Sequence, residues 1–281
     1  MRKIAATALL TAVAAAGLAP ATATASDPST AGPAAKAGSV NMEKVVKAAM
    51  WDPYKPNTSI VPGAGKSVTK VEKALAAKGM LADKYVDGHF GTSTVSAYAK
   101  YQRSLGYSGL AASGLPGKGS LTKLGRSAGF DVTRKIGVGG KVRLGSGDVL
   151  NRRTLDMYEE AEKISGIDLT VTQGSYTGSN PGSAGTHDGG GAVDISVRGI
   201  NAHKAVKALR QVGFAAWHRT ADQGDWAPHI HAIAISDTDV SPAAQKQVGD
   251  YFRGKNGLAS GAPDDGPKVK KVTWEEYRRS N

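Results

Sequence analysis

The stretch "AGTHDGGGAVDIS", residues 184–196, sets His187 seven positions ahead of Asp194, with Gly189, Gly190 and Gly191 between them. Its second half continues into "AVDISV", which alternates. On an extended chain Val193, Ile195 and Val197 fall on one side, and Ala192, Asp194 and Ser196 on the other. That period of two reads as a strand whose apolar face meets a core, with Asp194 pointing away from it. The three glycines allow a sharp turn between the His187 loop and the Asp194 strand, with no side chains to obstruct a cleft.

The same alternation governs "HIHAIAI", residues 229–235. His229, His231, Ile233 and Ile235 share one face, and Ile230, Ala232 and Ala234 the other. Two imidazoles therefore project together. Of the 6 histidines, His187, His218, His229 and His231 fall within 45 residues of one another. Histidine nitrogen and aspartate oxygen suit zinc, and three protein ligands with one position left for water make a catalytic rather than a structural site. By spacing, His187, Asp194 and one of the paired histidines form such a set; the plainer alternative is a group of buried polar residues satisfied by hydrogen bonds.

Around these strands, "RRTLDMYEEAEKIS" (152–165) and "NAHKAVKALRQVG" (201–213) carry helical periodicity, while "DLTVTQGSY" (168–176) and "GFAAWHR" (213–219) have strand character. Residues 148–256 thus read as α+β, an antiparallel sheet with helices on one face. Upstream, "VDGHFGTSTVSAYAKYQRSLG" (86–106) gives a glycine-rich turn and an amphipathic run. A weaker copy, "GLPGKGSL" (114–121), repeats Gly88, Gly91 and Thr94 as Gly114, Gly117 and Ser120 at a spacing of 26 residues. Each copy reads as a glycine loop followed by a Thr or Ser that caps a helix. Residues 63–130 are expected to form a small all-α module, joined by a basic, glycine-rich linker at 131–147.

The ends have their own character. "MRKIAATALLTAVAAAGLAPATATAS" has Arg2 and Lys3, an apolar run from Ile4 to Leu18, and small residues at Ala23 and Ala25, which predicts a signal peptide over 1–25 and a secreted protein. Residues 26–39 are linker in composition, and 26–62 are expected to be a linker and N-terminal segment. The charged stretch 257–281 reads as a tail. No stretch is long and apolar enough to span a bilayer. There is no cysteine, so stability is expected to come from packed cores, with a metal as the further candidate. The formal net charge of +12 favours anionic partners at the cell exterior, wall polymers among them. No acidic cluster suggests magnesium-dependent work on nucleic acid, so no specific nucleic-acid partner is expected.

Two resemblances sharpen the reading. "VEKALAAKGMLADKYVDGHFGTSTVSAYAKYQRSLG" (71–106) resembles the peptidoglycan-binding domain of bacterial wall hydrolases, with Phe90, Thr94 and Gln102 matching that pattern. It implies a noncatalytic anchor on peptidoglycan. "SAGTHDGGGAVDIS" followed by "WAPHIHAI" resembles the zinc D-alanyl-D-alanine carboxypeptidases and their lysostaphin-type and hedgehog-type relatives. This second resemblance implies that His187, Asp194 and His231 bind one Zn2+ per chain, with His229 as the catalytic residue beside the metal-bound water. Relatives with an ExxH pattern use the glutamate as base, but Pro228 stands at that place here, which passes the role to His229 or, second, to Asp225. The family's carboxylate-binding arginine is also missing: Ser175 or Tyr176 takes its place, leaving Arg198, Lys204 or Arg219 to replace it. Tyr176, Trp226 and His218 are the expected substrate contacts. The expectation is a secreted, monomeric zinc peptidase cutting peptidoglycan stem peptides as a carboxypeptidase or endopeptidase; the alternative is a noncatalytic wall-binding protein with an inactive metallopeptidase-like domain.

Overall fold

The computed structural model describes residues 38–55, 61–178 and 181–281. The expected signal peptide, 1–25, and residues 26–37 of the expected linker lie outside them. The described chain opens with β1 (Ser39–Asn41) and α1 (Met42–Trp51), whose first turn is capped by the Asn41 side chain accepting from the Lys44 N–H. Helices α2 (Gly65–Ala76), α3 (Thr92–Ser104) and α4 (Lys118–Ala128) follow, and β2 (Asp131–Thr133) pairs in parallel with β1. The segment expected to precede the module is therefore part of it. Val40, Met42, Val45 and Val46 are fully buried and need apolar partners.

Two buried polar side chains hold the glycine loops of this helical region. Glu72 on α2 accepts from the Gly88 N–H at 2.8 Å and from the Thr94 hydroxyl at 3.0 Å. Gln102 on α3 accepts from the Gly114 N–H at 2.8 Å and donates to the Leu115 carbonyl at 2.8 Å. Gly88 and Gly114 have φ of +83° and +90°, where a side chain is strained. Thr94 and Ser120 are not caps, contrary to the sequence reading. Gly91 and Gly117 occupy the cap positions, and both hydroxyls lie inside the first turn, where Thr94 reaches Glu72 and Ser120 donates back to the Gly117 carbonyl.

Burial pushes the Glu72 carboxyl up from 4.5 to about 7, against the hydrogen bonds from Gly88 and Thr94 that favour its ionised form. Between those two values the unfolded chain has released a proton that the folded chain keeps. The contribution of this carboxyl to stability is therefore fully present below about pH 4.5 and is lost as pH rises through 7. Glu72→Gln keeps both loop contacts within reach and removes the titration. Denaturation midpoints measured from pH 4 to 8 should show a shallower decline in the variant; an unchanged profile would locate the proton elsewhere.

The second half contains β3 (Lys141–Arg143), β4 (Val149–Asn151), α5 (Arg152–Ser165), β5 (Val171–Gln173), β6 (Ala192–Ser196), α6 (Ala202–Gln211), β7 (Phe214–Arg219), β8 (His229–Ala234), α7 (Pro242–Phe252) and α8 (Trp274–Ser280). Strands β5, β6, β8 and β7 form an antiparallel sheet in that order, while β3 and β4 make a separate hairpin. Residues 131–147, expected as linker, thus contribute β2 and β3.

One face of the sheet carries Val193, Ile195, Phe214, Ala216, Ile230, Ala232 and Ala234, packed on α5 and α6. The other carries Ala192, Ala215, Trp217, Ile233 and Ile235, covered by Val248, Tyr251 and Phe252 of α7 and by residues of α1. Helices therefore flank both faces rather than one, because both faces present apolar rows. The second cluster continues without a break into α2, α3 and α4. Trp51 stacks on Phe252 with ring centroids 4.1 Å apart, a contact worth about 1 kcal/mol beyond burial, and Gln245 donates to the Ala49 carbonyl. The described residues belong to one compact unit, with a core shared between the helical region and the sheet.

The expected tail is likewise part of the body. Arg210, 1 % exposed, donates to Asp264 and to the Pro267 carbonyl, both at 2.7 Å. Gly213 leaves room for the backbone at Thr273 and Trp274. Arg153 pairs with Glu275 at 2.8 Å, and Lys47 with Glu276 at 2.9 Å. The charges that made this segment look solvated find partners far away in sequence. Among the described residues, no helix is long and apolar enough to cross a membrane.

Candidate metal centre

Three rows of side chains cross β6, β8 and β7 on the face that α7 covers. Ala192, Ile233 and Ala215 form the first; Asp194, His231 and Trp217 the second; Ser196, His229 and Arg219 the third. The apolar first row lies wholly inside the shared core. A groove of about 660 Å³ opens over the other two, with Asp194, His229, His231, Arg219, Trp226 and Gln247 among its lining residues. The alternation read from the sequence is what places one carboxylate and two imidazoles on this face.

His187 arrives from the loop before β6. The Tyr176 N–H donates to the Gly189 carbonyl and the Thr177 N–H to the His187 carbonyl, which fastens that loop to the chain leaving β5. A side chain at Gly189 would run into the Asp239 carbonyl, and one at Gly190 would meet Asn151 and the Tyr176 hydroxyl at 2.7 Å. At Gly191, φ is +80° and the nearest atom of Val240 would lie 2.8 Å away. The glycine run is pressed against residues 237–240 on one side, and this close approach turns His187 inward.

His187 is fully buried, and its Nδ1–H donates to the Gly174 carbonyl at 2.8 Å. Its Nε2 lone pair then faces the Asp194 Oδ1 and the His231 Nδ1, each 3.3 Å away, while the His231 Nδ1 lies 2.7 Å from the Asp194 Oδ1. One donor atom from each of the three residues falls within 4.8 Å of the others. Burial opposes charge on Asp194, but His231 and His187 outweigh it and hold the carboxyl well below its usual range. Burial pulls His231 below its ordinary value against the pull of Asp194. For His187 burial acts the same way and is outweighed by Asp194 and the Gly174 carbonyl, so it is the more basic ring.

These donors fit a metal ion. Two imidazole nitrogens and one ionised carboxylate converge, and the tautomer of His187 is fixed by a carbonyl on its far side, the arrangement that supports metal-bound histidine. The buried group of His187, Asp194 and His231 could hold a metal ion.

His229 stands beside this group and outside it. Its Nδ1–H donates to the Ala227 carbonyl at 2.8 Å, and its Nε2 lies 3.9 Å from the Asp194 Oδ2. In the neutral ring that leaves Nε2 unprotonated toward the groove. Trp226 meets His229 edge-on at 6.3 Å and lines the groove. Arg198 and Arg219 also line it, whereas Lys204 is not among its lining residues. Arg219, 3 % exposed, lies over Trp217 and donates through Nη1 to the Asn256 carbonyl, with no partner at Nη2 among the described residues.

Two expected substrate contacts stand elsewhere. His218 pairs with Ile230 across β7 and β8, so it belongs to the opposite face of the sheet. Tyr176 has φ of +63°, donates its hydroxyl to Asp239 at 3.0 Å and carries Lys141 over its ring at 3.8 Å. It buttresses the glycine turn rather than the groove. Gln247 on α7, whose Oε1 lies 2.9 Å from the His231 Nε2, was not among the residues drawn from the sequence. Nothing local marks it, since it is one polar position on an amphipathic helix. No protein family, curated protein or solved structure matches the chain.

Proposed function

We propose that this protein is a secreted zinc-dependent peptidase that hydrolyses amide bonds of peptidoglycan stem peptides, trimming their ends or opening their cross-links. The observation that carries the reading is the convergence of His187 Nε2, Asp194 Oδ1 and His231 Nδ1 on the floor of an open groove, with His229 beside them. Zinc held by three such ligands supplies Lewis-acid polarisation of a carbonyl and activation of water at neutral pH.

The residues of the chain do the rest. His229, with its Nδ1–H tied to Ala227, offers Nε2 to take a proton from the attacking water and to return it to the leaving nitrogen. Trp226 gives the peptide a flat apolar wall, and Arg198 and Arg219 supply positive charge for carboxylates of the substrate. The helical region resembling a peptidoglycan-binding domain gives the enzyme a hold on its insoluble substrate.

Purified mature protein incubated with purified peptidoglycan should release peptides with defined new termini, and a chelator should stop the release. Those termini distinguish carboxypeptidase from endopeptidase action. Binding to the wall without any release, or release indifferent to the chelator, would remove the zinc peptidase reading.

A further inference from the structure

His231 faces two oxygen acceptors. Its Nδ1 lies 2.7 Å from the Asp194 Oδ1 and its Nε2 lies 2.9 Å from the Gln247 Oε1. A neutral ring has one proton to give. The arrangement is fully satisfied when a cation takes the Nδ1 lone pair and the Nε2–H donates to Gln247.

From this juxtaposition we infer that Gln247 is a positioning residue of the metal centre, one that selects the His231 tautomer whose Nδ1 is free to bind metal; the inference rests on the metal-binding part of the proposed function. A second contact fixes the plane of the same ring. Trp217 lies nearly parallel to it, 15° away in orientation and 6.4 Å between centroids. Between them, Trp217 sets the tilt of the imidazole and Gln247 sets which nitrogen carries the proton.

The helix that carries Gln247 is itself held from the far side. Gln245 donates to the Ala49 carbonyl of α1 at 2.9 Å, Gly249 accommodates the Tyr54 ring, and Phe252 stacks on Trp51. Gln247 is half-buried at the groove, outside that packing. Its amide can therefore be changed without dismantling the core.

Competition with a chromophoric chelator gives the zinc affinity of the full chain and of two variants. Gln247→Leu should bind zinc about 10- to 100-fold more weakly, the range expected when a ligand loses its outer partner. Gln247→Glu, which retains an acceptor oxygen, should bind at least as tightly as the unchanged chain. All three metal-free proteins should melt at similar temperatures. Unchanged affinity in Gln247→Leu would overturn the inference, as would equal weakening in both variants, which would mark a packing role. Failure of the unchanged chain to bind zinc would overturn the metal reading and this inference with it.

Discussion

Asp194→Asn should leave the purified protein without stoichiometric metal. Its Oδ1 is the atom that both imidazoles approach, at 3.3 Å from the His187 Nε2 and 2.7 Å from the His231 Nδ1. Asparagine keeps the shape of the side chain and removes the negative charge that a divalent cation requires of its one anionic ligand. The variant isolates ligation from folding, because the side chain sits at the groove floor and leaves the apolar row of Ala192, Ile233 and Ala215 untouched. Elemental analysis after dialysis is the direct measurement. A melting experiment is the second: a ligand at about 100 times its Kd adds about 2.7 kcal/mol, so a chelator should lower the midpoint of the unchanged protein and not that of the variant. Retention of a full complement of metal would show that the cation sits elsewhere.

His229→Ala should do the opposite, keeping the metal and losing turnover by about 10²- to 10⁴-fold, the contribution typical of a positioned acid or base. The side chain is near the candidate ligands without being one, since its Nε2 is 3.9 Å from the Asp194 Oδ2 and its Nδ1 is occupied by the Ala227 carbonyl. Peptide release from peptidoglycan, measured alongside metal content, separates the outcomes. Loss of metal would make His229 a fourth ligand and the centre structural. Full activity would move the proton-transfer role to another groove residue, with Asp225 next in place.

What the sequence made legible is what depends on strand alternation. The faces of β6 and β8 follow from a period of two, so the grouping of Asp194, His229 and His231 could be read before any pairing was known. What it hid depends on long-range packing. His218 and Trp217 are neighbours in β7, and only the register with β8 decides which of them faces His231. Tyr176 was misplaced because its positive φ turns it to Asp239, a residue 63 positions away. The last helix looked like a charged tail because Glu275 and Glu276 are paired with Arg153 and Lys47, partners that no local pattern indicates. Gln247 was silent for the same reason: its role comes from a helix laid across the sheet.

The glycine run also bears on how this protein can change. An added carbon would strike the backbone at Asp239 from Gly189, the Asn151 amide and Tyr176 hydroxyl from Gly190, and the Val240 side chain from Gly191. The turn beneath the groove is therefore closed to gradual variation, since even an alanine methyl would force it or its neighbours to shift. The rim is built differently: Arg198 is exposed and Asp225, Trp226 and Ala227 lie on a connecting loop. Substitutions can accumulate there one residue at a time, around a candidate metal centre whose glycine support does not tolerate them.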